Sequence, residues 1–196
     1  MKKFIVLVAL FVASTLGASV HAQVSTSDTR DNPKAQREAE RSRQKAEAEA
    51  QEAALYAAAV QALKENRFVV EVDRVVFKYG DVAYVNTNTN FILVDEDEGS
   101  VQVAFNTPYS GPNGIGGVTV DGRVSGIKLK ESKKGKINYN FSVQGTGISA
   151  QIFLTLSAGS NQATVTITPN FNSRTLTLYG EIVPLEQSSV FKGRSL

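Results

Sequence analysis

The sequence has no cysteine, no tryptophan, one methionine and one histidine in 196 residues. Without cysteine there is no disulfide to staple the fold, so stability rests on the core alone. The single histidine is His21, near the N-terminus. From residue 22 onward there is neither imidazole nor thiol, which removes Ser-His-Asp and Cys-His catalysis and nearly every zinc or copper site. An excess of either charge is also lacking. Lys and Arg total 21 against 19 Asp and Glu, and without Lys2 and Lys3 the two signs balance. The sequence pI of about 8.8 therefore owes its basic side to the first three residues. A balanced chain lacks the concentrated positive charge that nucleic acid requires. No apolar run reaches the roughly 20 residues needed to span a bilayer as a helix.

What is present begins with Met1, Lys2 and Lys3, an apolar run over residues 4–13, and a small, mixed stretch ending in Val20, His21 and Ala22. A basic start, a short apolar run and small residues at −3 and −1 make a cleavable signal peptide over residues 1–22. Cleavage is expected between Ala22 and Gln23. The mature chain is then periplasmic or secreted, with no integral membrane segment. Residues 23–33 form a polar leader, in which Asn32 and Pro33 resemble a helix N-cap and first helical position.

Residues 34–65 are nearly all Ala, Glu, Gln, Arg and Lys, the strong helix formers. They predict a long, charged helix of about 48 Å at 1.5 Å per residue. Its first part, 34–52, has no large apolar side chain and reads as a solvated arm. Its second part carries Leu55, Ala59, Ala62 and Leu63 on one face, with Tyr56 and Val60 beside it, a stripe suited to docking. A coiled coil would need sustained Leu or Ile at heptad spacing, which is missing.

From Phe68 the apolar period becomes two. Clear alternation runs through Val101, Val103 and Phe105; Val118 and Val120; Ile127 and Leu129; Ile137, Tyr139, Phe141 and Val143; Ile152, Leu154 and Leu156; Ala163, Val165 and Ile167; and Leu176 and Leu178. The intervening residues are mostly Gln, Asn, Thr and Lys, so these are antiparallel strands with one wet face. Residues 68–79 and 82–94 are apolar on both faces in places, as in central or bent strands. Turn residues at 80–81, 97–99, 121–122, 134–135 and 159–161 separate the runs. The reading is an all-β antiparallel domain over residues 66–186, a sandwich or a partly closed barrel, with the long charged helix before it and a C-terminal tail over 187–196.

The segment from Asn106 through Pro108, Tyr109, Gly111, Gly114, Gly116 and Gly117 has a characteristic glycine pattern. Val101 to Phe105 precede it; Lys134 to Lys136, Ala163 to Ile167 and Tyr179 to Ile182 follow. Together these resemble the bacterial domain of unknown function family numbered 4251, over roughly residues 50–185. The resemblance implies an exported β-rich domain behind a signal peptide, and no activity.

Each candidate chemistry has a plainer counterpart. Asp95, Glu96, Asp97 and Glu98 form the densest acidic patch. A calcium loop counted from Asp95 needs Gly at its sixth position and Glu at its twelfth, where Ser100 and Asn106 stand; a solvated hairpin tip is the better reading. A glycosidase needs two carboxyls across a cleft, and Glu71, Asp73, Asp95, Asp97, Asp121 and Glu181 are the candidates. Ser125 and Lys128 match S-x-x-K, but in a regular strand residues three apart face opposite ways. Lys128, Lys130, Lys133, Lys134 and Lys136 suit a solvated hairpin. The glycine-rich stretch 111–117 has no phosphate-cradle spacing; it is a connection, or a recognition loop in which Tyr109, Gly114 and Gly116 touch a ligand or partner. Phe105, Tyr139 and Phe141 are core residues, or line a ligand pocket if the strands enclose an unfilled barrel interior; one packed core is expected from Val103, Ile127, Tyr139, Phe141, Leu154, Val165 and Leu176.

The functional expectation is a non-enzymatic envelope or periplasmic module without cofactor, metal or nucleic acid, binding a small molecule or an envelope protein. A structural role for the helix and a carboxylate-dependent hydrolase are the alternatives.

Overall fold

The computed structural model describes residues 33–104, 117–145, 148–170 and 175–193. The chain divides into two units, residues 1–40 and 41–196. Helix α1 runs over Pro33–Glu65, with Lys64 in its last turn, where a cation complements the helix dipole. Asn66 follows at φ 56°, and its N–H bonds to the Leu63 carbonyl at 3.3 Å. An asparagine in this left-handed position is a recognised helix stop.

Nine strands follow: β1 (Arg67–Phe77), β2 (Val82–Tyr84), β3 (Phe91–Asp95), β4 (Glu98–Ala104), β5 (Gly117–Glu131), β6 (Ile137–Gly145), β7 (Ile148–Leu156), β8 (Gln162–Pro169) and β9 (Leu176–Pro184). Every pairing is antiparallel between neighbours, and β9 returns to pair with β1. The sheet thus closes into an eight-stranded antiparallel barrel. Of the two architectures expected the barrel is the one found, and it is closed rather than partly closed. β2 and β3 together act as one interrupted strand, because both pair with the same side of β1. The excursion between them is tied to that ladder at each end: Val85 N–H bonds to the Asp73 carbonyl and Val72 N–H to that of Asn90, both 2.9 Å.

The inward rows follow the period-two pattern around the barrel. Val70 stands opposite Ile92 and Ile182, Tyr139 opposite Leu154, Leu154 opposite Val165, and Val165 opposite Leu178. All are buried in one apolar cluster. Phe68, Tyr139 and Phe141 form a column of edge-on rings with centroids 5.3 and 5.5 Å apart, a favoured aromatic arrangement. The last turns of α1 add Ala59, Ala62 and Leu63 to the same cluster. Tyr56 donates from its hydroxyl to the Gly135 carbonyl in the β5–β6 turn. That places the end of α1 at the mouth ringed by the β3–β4, β5–β6 and β7–β8 turns. Burying Leu63 contributes about 1.5–3 kcal/mol there.

Four expectations need correction. The Asp121-Gly122 pair is not a turn; it lies inside the 15-residue β5. Gly122 allows close strand approach instead, since a Cβ there would lie 2.4 Å from the Gln144 carbonyl oxygen. Ile127 is not a core residue: it is 37% exposed. The register shifts between Ser125 and Lys128, and Gly126 has φ +67°, so a bulge interrupts the alternation. The same bulge puts Ser125 and Lys128 on one face, opposite Ser142 and Asn140, where regular alternation had separated them. Val103 is only half-buried and falls outside the main cluster that holds Tyr139, Phe141, Leu154 and Val165; Leu176 packs against that cluster. Phe105 lies outside the described residues.

Candidate functional site: the outer wall of the barrel

Part of the barrel's exterior is covered by the chain itself. The segment after β9 makes a 3-10 turn at Leu185–Gln187 and then crosses the outside of β1, β3, β4 and β5. Beneath it Val69 and Phe91 are fully buried although they point away from the barrel interior. This explains why β1 and β3 are apolar on both faces. Gln102, 0% exposed, fixes the strap. Its amide NH₂ donates to the Thr89 carbonyl at 2.9 Å and the Phe191 carbonyl at 2.7 Å. Its carbonyl accepts from the Thr119 hydroxyl and the Gly193 N–H, both 2.7 Å. All four hydrogen-bonding sites of one amide are thereby used. Lys192 pairs with Asp121 at 2.7 Å, to which Ser100 also donates. Ser188 donates to Glu71 at 2.7 Å, and Arg67 pairs with Glu186 at 2.9 Å.

The exterior over β6, β7, β8 and β9 is uncovered, as are the outward Arg123, Ser125, Lys128 and Lys130 of β5 beside it. Two of the outward register rows over β6 to β9 continue onto β1 and β2. One runs Asn138, Thr155, Thr164, Tyr179, Arg74, Tyr84; the other runs Asn140, Phe153, Thr166, Thr177, Val76, Val82. Across six strands each row spans about 24 Å at 4.7–4.9 Å per strand. Tyr84 is 83% exposed, Val82 53% and Phe153 44%. The Arg74 guanidinium lies over the Tyr179 ring, 4.1 Å from its centroid. Between residues 137 and 184 the only charged residues are Arg174, which lies outside the described residues, and Glu181. A soluble surface usually carries roughly 25–35% charged residues, so this wall is unusual in being built from hydroxyls, amides and a few rings.

The carboxylates singled out from sequence are distributed as follows. Asp95 and Asp97 flank the tight β3–β4 turn and face Arg67 and Arg123 at 3.8 and 3.7 Å, as a solvated hairpin tip would. Asp121 sits under the strap. Glu71 and Glu181 are brought directly opposite each other on β1 and β9. Each is engaged: Glu71 by Ser188, and Glu181 by Gln162 at 2.7 Å and Asn161 at 3.3 Å. The pair lies on the convex outside of the barrel rather than across a cleft, as a glycosidase pair must. Among the described residues no three of His, Cys, Asp and Glu group as a metal site would. Lys128, Lys130, Lys133, Lys134 and Lys136 are all exposed around the β5–β6 turn. Tyr109, Gly114 and Gly116 lie outside the described residues, as do Ala22 and Gln23. Among the described residues no helix is long and apolar enough to cross a membrane.

Sequence reasoning missed the strap and the wall. The wall had a readable signal, the near absence of charge after Ile137. The strap had only the double-sided apolarity of β1 and β3.

A closed eight-stranded barrel with a helix at one mouth and a charge-poor outer wall belongs to the class of antiparallel β barrels. Its family is shown by comparison: residues 50–182 match the model of "Domain of unknown function (DUF4251)", and the chain belongs to that family. A similar solved structure is the crystal structure of a DUF4251 family protein from Bacteroides eggerthii DSM 20697. It is 61% identical, with a TM-score of 0.64, over 76% of this chain and 99% of that one. No curated protein matches.

Proposed function

We propose that this protein is an exported, non-enzymatic binding module of the periplasm or cell exterior, and that it binds through the outer wall of β6 to β9. The observation that carries the reading is the wall itself: exposed Phe153 set among uncharged hydroxyls and amides, with exposed Tyr84 at its edge beside Arg74, on a face that no other part of the described chain covers. Scattered apolar exposure is ordinary, but aromatic exposure aligned in register rows on a rigid scaffold is how binding surfaces are built. The interior favours this face over a ligand-filled barrel, because Phe68, Tyr139 and Phe141 are buried in it and pack edge-on. Export is supported by the signal-peptide pattern of residues 1–22. The scarcity of catalytic side chains and the engaged, cleft-free pair of Glu71 and Glu181 support a role without catalysis.

The test is a photo-crosslinking residue placed at position 153 in cells, with position 64 on α1 as control. An adduct at 153 and none at 64 is expected; equal labelling at both sites, or none, would remove the reading. Mass spectrometry of the same exported protein should show a chain beginning at Gln23.

A second reading has its own observation. Every residue of α1 from Pro33 to Leu55 is exposed, as in an arm that meets a partner or spaces the barrel from one. Deleting residues 33–52 would change the captured partners under that reading and leave them unchanged under the first.

A further inference from the structure

Resting on the reading of the outer wall as a binding surface, we infer that its ligand is an uncharged polysaccharide lying across β6, β7, β8 and β9. The first argument is charge complementarity. An anionic or cationic polymer is held by counter-charges on the protein, and among the described residues of β6 to β9 only Glu181 is charged; Lys128 and Lys130 border the wall on β5, opposite Asn140 and Asn138, and Arg74 at its far edge is engaged by the Tyr179 ring. Removing hydration from an ionic ligand without a paired charge is costly. A neutral ligand incurs no such penalty.

The second argument is hydrogen-bonding capacity. Asn140, Thr166 and Thr177 share one register row and are half-buried. Among the described residues their side chains hold no hydrogen-bond partner. Hydroxyl and amide groups both donate and accept, so they match a sugar hydroxyl whichever way it is turned. The strand spacing repeats such groups at about 5 Å intervals, a step comparable with the length of one sugar ring.

The third argument is the ring in that row. Phe153 stands between Asn140 and Thr166 and is 44% exposed. It supplies an apolar platform for the C–H face of a sugar amid groups that take its hydroxyls. A protein partner fits less well. Protein interfaces depend on large anchors in desolvated pockets, and short Thr and Asn side chains on a convex wall form none.

The experiment is affinity electrophoresis of the purified protein in gels containing laminarin, dextran, galactomannan or arabinoxylan, with polygalacturonate as the charged comparison. Phe153→Ala and Thr166→Glu change the wall, and Lys64→Ala on α1 is the control. Retardation by at least one neutral polymer is expected, insensitive to salt. Affinity should fall at least tenfold in both wall variants, unchanged in the control, with unaltered unfolding midpoints. Migration unaffected by all four neutral polymers, retardation by polygalacturonate alone, or retardation that survives Phe153→Ala and Thr166→Glu would overturn the inference. A protein adduct from position 153 without polysaccharide retardation would overturn the ligand class while leaving the wall as a binding surface. Loss of both would remove the two together.

Discussion

Tyr139 shows how one polar atom is managed inside the barrel. The side chain is fully buried, and its hydroxyl donates to Asn66 Oδ1 at 2.6 Å. The residue that ends α1 thus also satisfies the one hydroxyl among the core rings. Burial pushes the phenol up to about 12, from an ordinary value near 10. The neutral form is therefore the one the fold favours. Stability from this group is intact below pH 10 and is lost as pH rises from 10 through 12, because the unfolded chain releases the proton first. The loss is on the order of 3 kcal/mol across that window. Tyr139→Phe should cost about 1 kcal/mol at pH 7, from the lost hydrogen bond and the stranded Asn66 carbonyl. It should also flatten the fall above pH 10, measured as the difference between the two proteins in urea unfolding. Parallel curves for the two proteins above pH 10 would show that Tyr139 is not the group responsible. Gly180 makes a different point at the same scale. A Cβ there would lie 2.1 Å from the Glu71 carbonyl oxygen, which is backbone on the neighbouring strand. Gly180→Ala should cost about 3 kcal/mol, the upper end for overpacking. Gly159→Ala, at a turn with φ +74° and open space around it, should cost about 1–2 kcal/mol from backbone strain alone. Thermal midpoints of the two variants would rank them.

Among the elements, the strap is where structure adds most to sequence. Alternation such as Ile137, Tyr139, Phe141 and Val143 was legible because one face meets the core and the other meets water, which is the physical origin of a period of two. β1 and β3 obscured it, since Val69 and Phe91 are buried by a segment more than 90 residues away in the chain. No local pattern encodes that contact. The bulge at Gly126 was hidden for a related reason: a glycine in a strand marks a bulge, a bend or a close approach alike, and Gly122, four residues earlier, serves the close approach. The uncovered wall was legible as missing charge, but its two rows exist only once the register is known. The strap yields a sharp expectation. Gln102→Ala leaves the Thr119 hydroxyl, the Gly193 N–H and two carbonyls to find other partners in a buried site. At about 1–3 kcal/mol per stranded buried group, the variant should lose at least that much in urea. It should also free the strap, so that limited proteolysis cuts between Ser188 and Gly193 first. A variant with unchanged cleavage there would show that Gln102 does not hold the segment.

At the scale of the whole molecule, closure governs behaviour. β1 pairs with β9 from Phe68 with Pro184 to Phe77 with Leu176, so the barrel closes through strands about as far apart in sequence as the domain permits. Such contacts are reached late, after their loop entropy has been overcome, and make folding slow, in the millisecond-to-second range. They also make it cooperative, because an open barrel exposes the inward rows of both end strands. Phe141 tests this from the centre. It is 3% exposed, contacts the Tyr139 ring edge-on and stands opposite Ile152 on β7. Phe141→Ala should cost about 3–5 kcal/mol, the range for a buried phenylalanine, and should do so by lowering the urea midpoint with the slope unchanged. The chain has no tryptophan, so its fluorescence comes from tyrosines, of which Tyr139 lies in the core and Tyr84 on the surface; its transition should coincide with far-UV circular dichroism in both proteins. Two separated transitions would mean that parts of the barrel unfold independently. A loss below about 1 kcal/mol would mean a roomy interior able to accept a ligand, and would return the binding site from the wall to the inside of the barrel.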